Sequence, residues 1–337
     1  MNMKNIPEFS GKTILITGGS GSIGSYLTEA ILQTDCKVVR VLSNNEYELF
    51  KLEKKFPDSK KLRLFLGDIR DKDRLRVAVD GVDIVFHAAA LKHVPLCEFN
   101  PFDAIQTNVL GTQNMIEACI QSNVEKFVFI STDKASSPLS TLGATKLLAE
   151  RLTISAMAYR RSLTRPIMYC IRFGNVIGTR GSVLELFMEQ VRNNEALTIT
   201  NNEMTRFTMT KKEAVELILS TVGIAKGGEI FVLKMKALKI LDLAKAVISL
   251  YSKNAQEHKV IETGIRDGEK LHESLITKEE VSRFREYDGM YVLPPPNSEE
   301  YNNLPKLETN YSSEQDKMMS INEIEDMLKN ISNELEY

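Results

Sequence analysis

Residues 13–24 read Thr13-Ile14-Leu15-Ile16-Thr17-Gly18-Gly19-Ser20-Gly21-Ser22-Ile23-Gly24. The apolar start is a strand candidate, and Ile23, Leu27, Ala30 and Ile31 behind it recur with a helical period. A strand, a glycine-rich turn and a helix in immediate succession fit the dinucleotide-binding fingerprint through Gly19, Gly21 and Gly24. Missing side chains allow a tight turn, let backbone approach a pyrophosphate and let helix pack closely on strand. The phosphates then lie at the helix amino end, where N–H groups point outward. A merely structural turn is the alternative.

Outward from this unit the same alternation continues. Val38-Val39-Arg40-Val41-Leu42 ends in Ser43-Asn44-Asn45-Glu46, about 20 residues on. That is the place for an acid on the ribose of NAD or a cation on the phosphate of NADP. Ser43 removes the acid, and Arg40 and Lys51 are the nearest cations. Leu62–Leu66 leads to Gly67-Asp68-Ile69, with Asp68 placed to face an adenine. Asp83–Phe86 leads to His87-Ala88-Ala89-Ala90, small enough for a flat cofactor to lie against the backbone. A long helix from about Pro101 carries Asn108 and Gly111 towards the apolar run Phe127–Ile130. A helix over Leu142–Ala158 carries Lys146, and the strand candidate Pro166–Ile171 ends in Arg172-Phe173-Gly174-Asn175. The pattern predicts an α/β fold: a Rossmann-type, doubly wound parallel sheet.

The run Phe127–Ile130 delivers Ser131-Thr132-Asp133-Lys134-Ala135 at a strand's carboxyl end, where open α/β sheets bind ligands. A carboxylate and an amine in consecutive positions there suit proton transfer. Beyond Asn175 the glycine-rich Gly178–Ser182 changes the character: helices are expected to shorten and arginines, Arg206 and Arg266, to stand in loops. A guanidinium binds phosphate with two parallel hydrogen bonds, so these residues suit an anionic ligand. Solvated surface arginines are the plain alternative. The expected division is a Rossmann domain over 1–175, a smaller substrate lobe over 176–290 and an extension over 291–337. The extension reads as a surface loop closed by a short amphipathic helix, Ile321 to Ile331.

Composition excludes several classes. At 43% hydrophobic residues, 337 residues bury a full core. A net charge of −2 argues against nonspecific nucleic-acid binding, which needs a basic surface. No apolar run approaches the roughly 18 residues of a membrane span, and Met1 to Lys12 lacks a signal peptide's apolar core. Cys36, Cys97, Cys119 and Cys170 are spaced for neither a zinc site nor a disulfide framework. No metal is expected, and a reducing cytoplasm is.

Taken together, Thr17–Gly24, Phe86–Ala90, Ser131–Ala135 and Gly143–Lys146 resemble an extended short-chain dehydrogenase/reductase. His87–Pro95, Ser131–Ala135, Arg172–Val176, Thr205–Phe207 and Gly268–Glu273 narrow the resemblance to nucleotide-sugar 4,6-dehydratases. The match is to the UDP-N-acetylglucosamine 4,6-dehydratases of the polysaccharide-biosynthesis (capsule and flagellin-glycan) type, over about residues 10 to 290.

What the resemblance implies is an internal redox cycle on a tightly bound NADP, with NAD as the alternative. Carbon 4 of the sugar is oxidised, carbon 5 loses a proton, carbon 6 loses hydroxide, and the hydride returns to carbon 6. Asp133 is implied as the acid and Lys134 as the base, with inversion at carbon 5; a lysine serves as base when burial lowers its pKa. Lys146 is implied at the nicotinamide ribose. The implied cofactor residues are Gly18, Ser20, Gly21, Ser22, Ile23, Gly24, Ser43, Asn44, Asp68, Ile69, Ala88, Ala89, Ala90, Lys92, Asn108 and Lys146. The implied UDP-sugar residues are Lys92, Asn175, Ser182, Val183, Arg206, Arg266 and Glu269. A homo-oligomer is expected.

One departure stands out. The family's usual Tyr-x-x-x-Lys is here Leu142-Gly143-Ala144-Thr145-Lys146, and a hydrocarbon moves no proton. Thr132, Lys146 or a water is left as the oxidation relay. Asn44 likewise stands where the usual Arg for NADP would be. Two other readings stay open: a UDP-sugar 4-epimerase of the same fold, and a non-catalytic cofactor-binding sensor or scaffold.

Overall fold

The structure is a computed structural model that describes residues 7–160, 164–253, 258–296 and 298–332. β1 (Thr13–Thr17), β2 (Val38–Ser43), β3 (Leu62–Leu66), β4 (Ile84–His87), β5 (Lys126–Ile130) and β6 (Ile167–Arg172) pair in parallel in the order 3-2-1-4-5-6. This is the order in which two βαβαβ halves meet at a crevice. β1 and β4 are buried along their whole length, as near-continuous apolar runs in a two-faced parallel sheet should be. Between the strands run α1 (Ser22–Leu32), α2 (Glu46–Lys55) and α3 (Lys72–Val79). α4 (Val94–Phe99), α5 (Pro101–Ala104) and α6 (Gly111–Gln121) follow. α5 and α6 are joined by a π-helical turn, Ile105–Leu110, so the expected long helix is present with an insertion at Asn108. α7 (Thr141–Ser155) is capped by the Ser140 hydroxyl, which accepts from Gly143 N.

The sheet does not stop at β6. After β7 (Asn175–Val176), β8 (Leu197–Ile199) and β9 (Thr205–Met209), β10 (Ile230–Leu233) pairs in parallel with β6. Met290–Leu293, which runs into the surface loop expected from Tyr291, is an antiparallel strand on β10, with Arg285–Tyr287 outside it. The segments expected as lobe and extension thus contribute to the central sheet. A second core gathers residues from α8 (Val183–Arg192), α10 (Ile240–Tyr251) and α11 (Ile321–Ile331). α11 has the expected bounds and is fixed by a Ser320–Glu323 capping box. The expected shortening of helices past 175 is not seen: α9 (Lys211–Ile224) has 14 residues, because its apolar side packs on α1 as part of the main core. No helix among the described residues is long and apolar enough to cross a membrane.

Candidate active site

The glycine turn forms as its sequence requires. Gly18 takes φ +64°, and a Cβ there would meet Ala89 backbone at 2.8 Å, so β1 and β4 release their chains side by side only with glycine at this position. Gly21 is exposed at the α1 amino cap and has no side-chain cap bond; a Cβ there would meet only Gly18 O, at 3.2 Å. The first turn of α1 thus has no side chain capping it, and an uncapped helix amino end suits the diphosphate of a dinucleotide. Ala88, Ala89 and Ala90 stand half-buried beside this turn, and Thr17 Oγ1 accepts from Ala89 N at 3.3 Å.

At the adenosine end, the Ser20 hydroxyl donates to Ser43 Oγ at 2.8 Å, tying the glycine turn to β2. Asn44 is exposed and donates to Asp68 Oδ2 at 3.4 Å. Two hydrogen bonds from Arg70 hold the Asp68 carboxyl below its ordinary range, so that acid is already paired. Arg40 donates to Ala78 O and Asp80 O and is unavailable to a ribose phosphate. Ile69 is buried, its carbonyl accepting from Asn114 at 3.3 Å.

Asn108 is buried, accepts from Leu91 N at 2.8 Å, and donates to Leu91 O and Thr145 Oγ1 at 3.1 Å. Its amide clamps the chain after β4 onto α7, and so positions the loop that starts at Leu91. Lys92, in the same loop, is exposed and donates to Arg180 O at 2.6 Å.

β5 and β6 end together and build the corner that holds Asp133 and Lys134. Ser131 N donates to Ile171 O and Asp133 N to Phe173 O, which sets Asp133 against Gly174. Asp133 is fully buried; Oδ1 accepts from the Thr132 hydroxyl at 2.7 Å and from Lys134 Nζ at 3.1 Å, while Oδ2 has no partner. Burial alone would raise this carboxyl, but the Lys134 ammonium and the Thr132 hydroxyl outweigh it and hold it low. Lys134 Nζ also lies 3.4 Å from Glu273 Oε1. Burial opposes its charge, yet Asp133 and Glu273 keep its pKa above the ordinary lysine value. The expectation of a lysine neutralised by burial is therefore overturned: two carboxylates defeat desolvation.

Lys146 behaves in the opposite way. Its Nζ donates to Ile130 O at 2.8 Å and sits over the Phe129 ring, and burial pushes its pKa down to about 8 against the pull of Glu150. α7 approaches this corner because Gly143 presses on the Lys134 carbonyl, where a Cβ would collide. Leu142 is buried with Cys97 and Ala104 in a small apolar cluster of its own. An apolar pocket thus surrounds the position that usually carries tyrosine.

Arg206 is buried, bonded to Thr205 O at 2.7 Å and Leu271 O at 3.1 Å, with Glu269 Oε1 at 3.5 Å. Arg266 is exposed on the turn that Glu269 closes through its backbone N–H. Arg206 thus meets Glu269 through its guanidinium and Arg266 through its backbone, and the two stand in different surroundings. Ser182, the α8 amino cap, keeps a buried hydroxyl without a partner, and Val183 leans on the second core. Asn175 is half-buried at the start of β7. Sequence reasoning took Glu269 from Gly268–Glu273 and missed Lys270 and Glu273, although the alternating charges there were a signal. It also missed His87, buried between the Thr17 and Thr112 hydroxyls and held neutral, its pKa pushed to about 3 by burial and by Lys146. Its flanking small residues had read only as cofactor floor.

The sheet order, the glycine turn and the lysine of α7 define an extended short-chain dehydrogenase/reductase. The chain belongs to the polysaccharide biosynthesis protein family, whose model matches residues 14–295. It is 47% identical over 328 residues to a Methanocaldococcus jannaschii protein described as an uncharacterized membrane protein, covering 96% of this chain and 97% of that one. An inverting UDP-N-acetylglucosamine 4,6-dehydratase of Campylobacter jejuni is 40% identical over 296 residues, 85% of this chain and 84% of its own. A UDP-glucose 4-epimerase of Rickettsia felis is 38% identical over 336 residues, 96% of this chain and 97% of its own. The crystal structure of Pen from Bacillus thuringiensis superposes with a TM-score of 0.90 at 41% identity, covering 96% of this chain and 98% of that one.

Proposed function

We propose that the protein is a nucleotide-sugar 4,6-dehydratase acting on UDP-N-acetylglucosamine. The observation that carries this reading is the Asp133–Lys134 pair, one carboxylate and one amine joined at 3.1 Å at the carboxyl end of β5. Elimination beside a ketone needs one base and one acid on adjacent carbons, and 4-epimerisation by hydride removal and return does not. The kinship with the inverting C. jejuni enzyme supports the same choice.

The resting pair is an ion pair, with the proton on lysine. Moving that proton from Lys134 Nζ to Asp133 Oδ1 gives an amine and a carboxylic acid. The Lys134 amine then takes the proton from carbon 5, and Asp133 protonates the hydroxide leaving carbon 6. Water departs, and Lys134 is again an ammonium beside a carboxylate. A bound nicotinamide dinucleotide would accept the hydride from carbon 4 and return it to carbon 6, while carbon 5 takes a solvent-derived proton on the face opposite Lys134. Three relays stay open for the oxidation proton: the Thr132 hydroxyl bonded to Asp133, Lys146 in its deprotonated form, and a water. Asn175, Ser182, Arg206, Arg266 and Glu269 are assigned to the UDP-sugar.

NADP is the form this reading favours, since Ser43 puts a hydroxyl where an acid would repel a ribose phosphate; parallel titrations with NAD and NADP decide it. Four free, buried cysteines support a cytoplasmic setting. Exposed Leu96, Phe99 and Phe102 support a homo-oligomer. A second reading, 4-epimerase, is favoured by the R. felis relative. Mass spectrometry of UDP-N-acetylglucosamine after incubation with protein and cofactor separates the two. Loss of one water supports the dehydratase, and an isomer of unchanged mass supports the epimerase.

A further inference from the structure

Lys134 has a second carboxylate that the elimination does not require. Glu273 is 2% exposed and stands just before the short strand Ser274–Ile276. Its Oε1 lies 3.4 Å from Lys134 Nζ, and its Oε2, without a hydrogen-bond partner, lies 3.8 Å from Lys270 Nζ. Its backbone is fixed from both directions: Glu273 N donates to Ser313 Oγ, and Ser313 N donates to Glu273 O. Lys270 is anchored separately, donating to Ser136 O at 2.7 Å.

We infer that Glu273 is a positioning residue that pins the Lys134 side chain beside Asp133 and sets how readily Lys134 gives up its proton. This inference rests on the dehydratase reading. The groups facing Lys134 are Asp133 from its own segment, Glu273 and Lys270 from the 270–273 segment, and Arg206 from β9. Asp133 and Glu273 favour the ammonium, and Arg206 opposes it. Lys270 opposes it also, with Glu273 shared between the two lysines. The corner is therefore balanced, and removing one member tips it in a direction fixed by charge.

The test compares Glu273→Gln with Lys270→Met. Glu273→Gln keeps the shape and removes the charge; its basic limb of kcat/KM, which reports the free enzyme, is expected to move about one pH unit towards acid. That is about a tenfold weaker hold on the proton. Lys270→Met removes a cation and is expected to move the limb the other way. Glu273→Asp is expected to return the limb towards the parent pH, with substrate KM within about threefold throughout. Unmoved limbs, or shifts of the same sign in both charge variants, would overturn the inference, as would a KM rise matching the fall in kcat. Should Glu273→Gln fail to fold, Glu273→Ala, which also removes the charge, carries the sign test with Lys270→Met. Titration of the Lys134 ammonium by NMR on 15Nζ-lysine-labelled protein needs no turnover. A parent without dehydratase activity whose Lys134 titration still shifts in these directions would count against the functional reading alone.

Discussion

The Lys146 ammonium donates to the carbonyl oxygen of Ile130, 2.8 Å away, the last residue of β5 before the Ser131–Ala135 segment. Burial leaves this lysine with a pKa of about 8 against an ordinary 10.5. The unfolded chain keeps its proton up to about pH 10.5, while the native chain releases it near 8. Between those values unfolding takes up a proton, so stability contributed by this group rises with pH. Below pH 8 both states are charged and the burial penalty is constant. Relative to Lys146→Met, the cofactor-free parent is expected to gain on the order of 3 kcal/mol between pH 8 and 10.5. Denaturant titrations of both proteins across that range measure it; a constant difference would contradict the assignment.

Gly21→Val is expected to abolish binding of NAD and NADP alike while leaving the fold intact. Its Cβ meets only Gly18 O at 3.2 Å, so the added bulk points into the space at the α1 amino end. Calorimetric titration with each dinucleotide, beside a thermal melt, checks this. Unchanged affinity would remove the diphosphate from that place.

Leu142→Met is expected to retain most activity. The side chain packs with Cys97 and Ala104, and a swap that keeps volume and apolarity there costs under about 1.5 kcal/mol. A loss of activity beyond tenfold at full folding would give Leu142 a part in the chemistry that hydrocarbon cannot explain.

Arg206 and Arg266 are expected to separate under substitution. Arg266→Met removes an exposed guanidinium, so substrate KM should rise roughly ten- to a hundredfold, from loss of about 1.5–3 kcal/mol of charge-assisted bonding, with the melting temperature unchanged. Arg206→Met also strips the carbonyls of Thr205 and Leu271 of a donor, so it should raise KM and lower the melting temperature together. Equal behaviour of the two variants would contradict the difference in burial.

Much of this architecture was legible in the chain because it is local. β1 and its glycine turn are encoded within twelve residues, and α11 within eleven, where period and cap agree. The corner at Asp133 and Lys134 was legible for the same reason. What the sequence hid depends on contacts made far along the chain. Glu273 reaches Lys134 only after the 270–273 segment folds back onto the turn that follows β5. Met290–Leu293 looked like loop because strands this short become evident only when β10 offers an edge. The charge of Lys134 was misjudged because burial was weighed without its second carboxylate. Asn108 carried a cofactor role by resemblance, while its hydrogen bonds go to Leu91 and Thr145.

The central claim, that Asp133 and Lys134 perform an elimination, is tested most directly in heavy water with UDP-N-acetylglucosamine. The parent protein is expected to yield product that has lost one water and carries solvent deuterium at carbon 5. Asp133→Asn and Lys134→Ala are each expected to slow that water loss by about 10²–10⁴-fold, the usual contribution of one positioned proton-transfer group. Product without deuterium at carbon 5, or dehydration at the parent rate in both variants, would contradict the account.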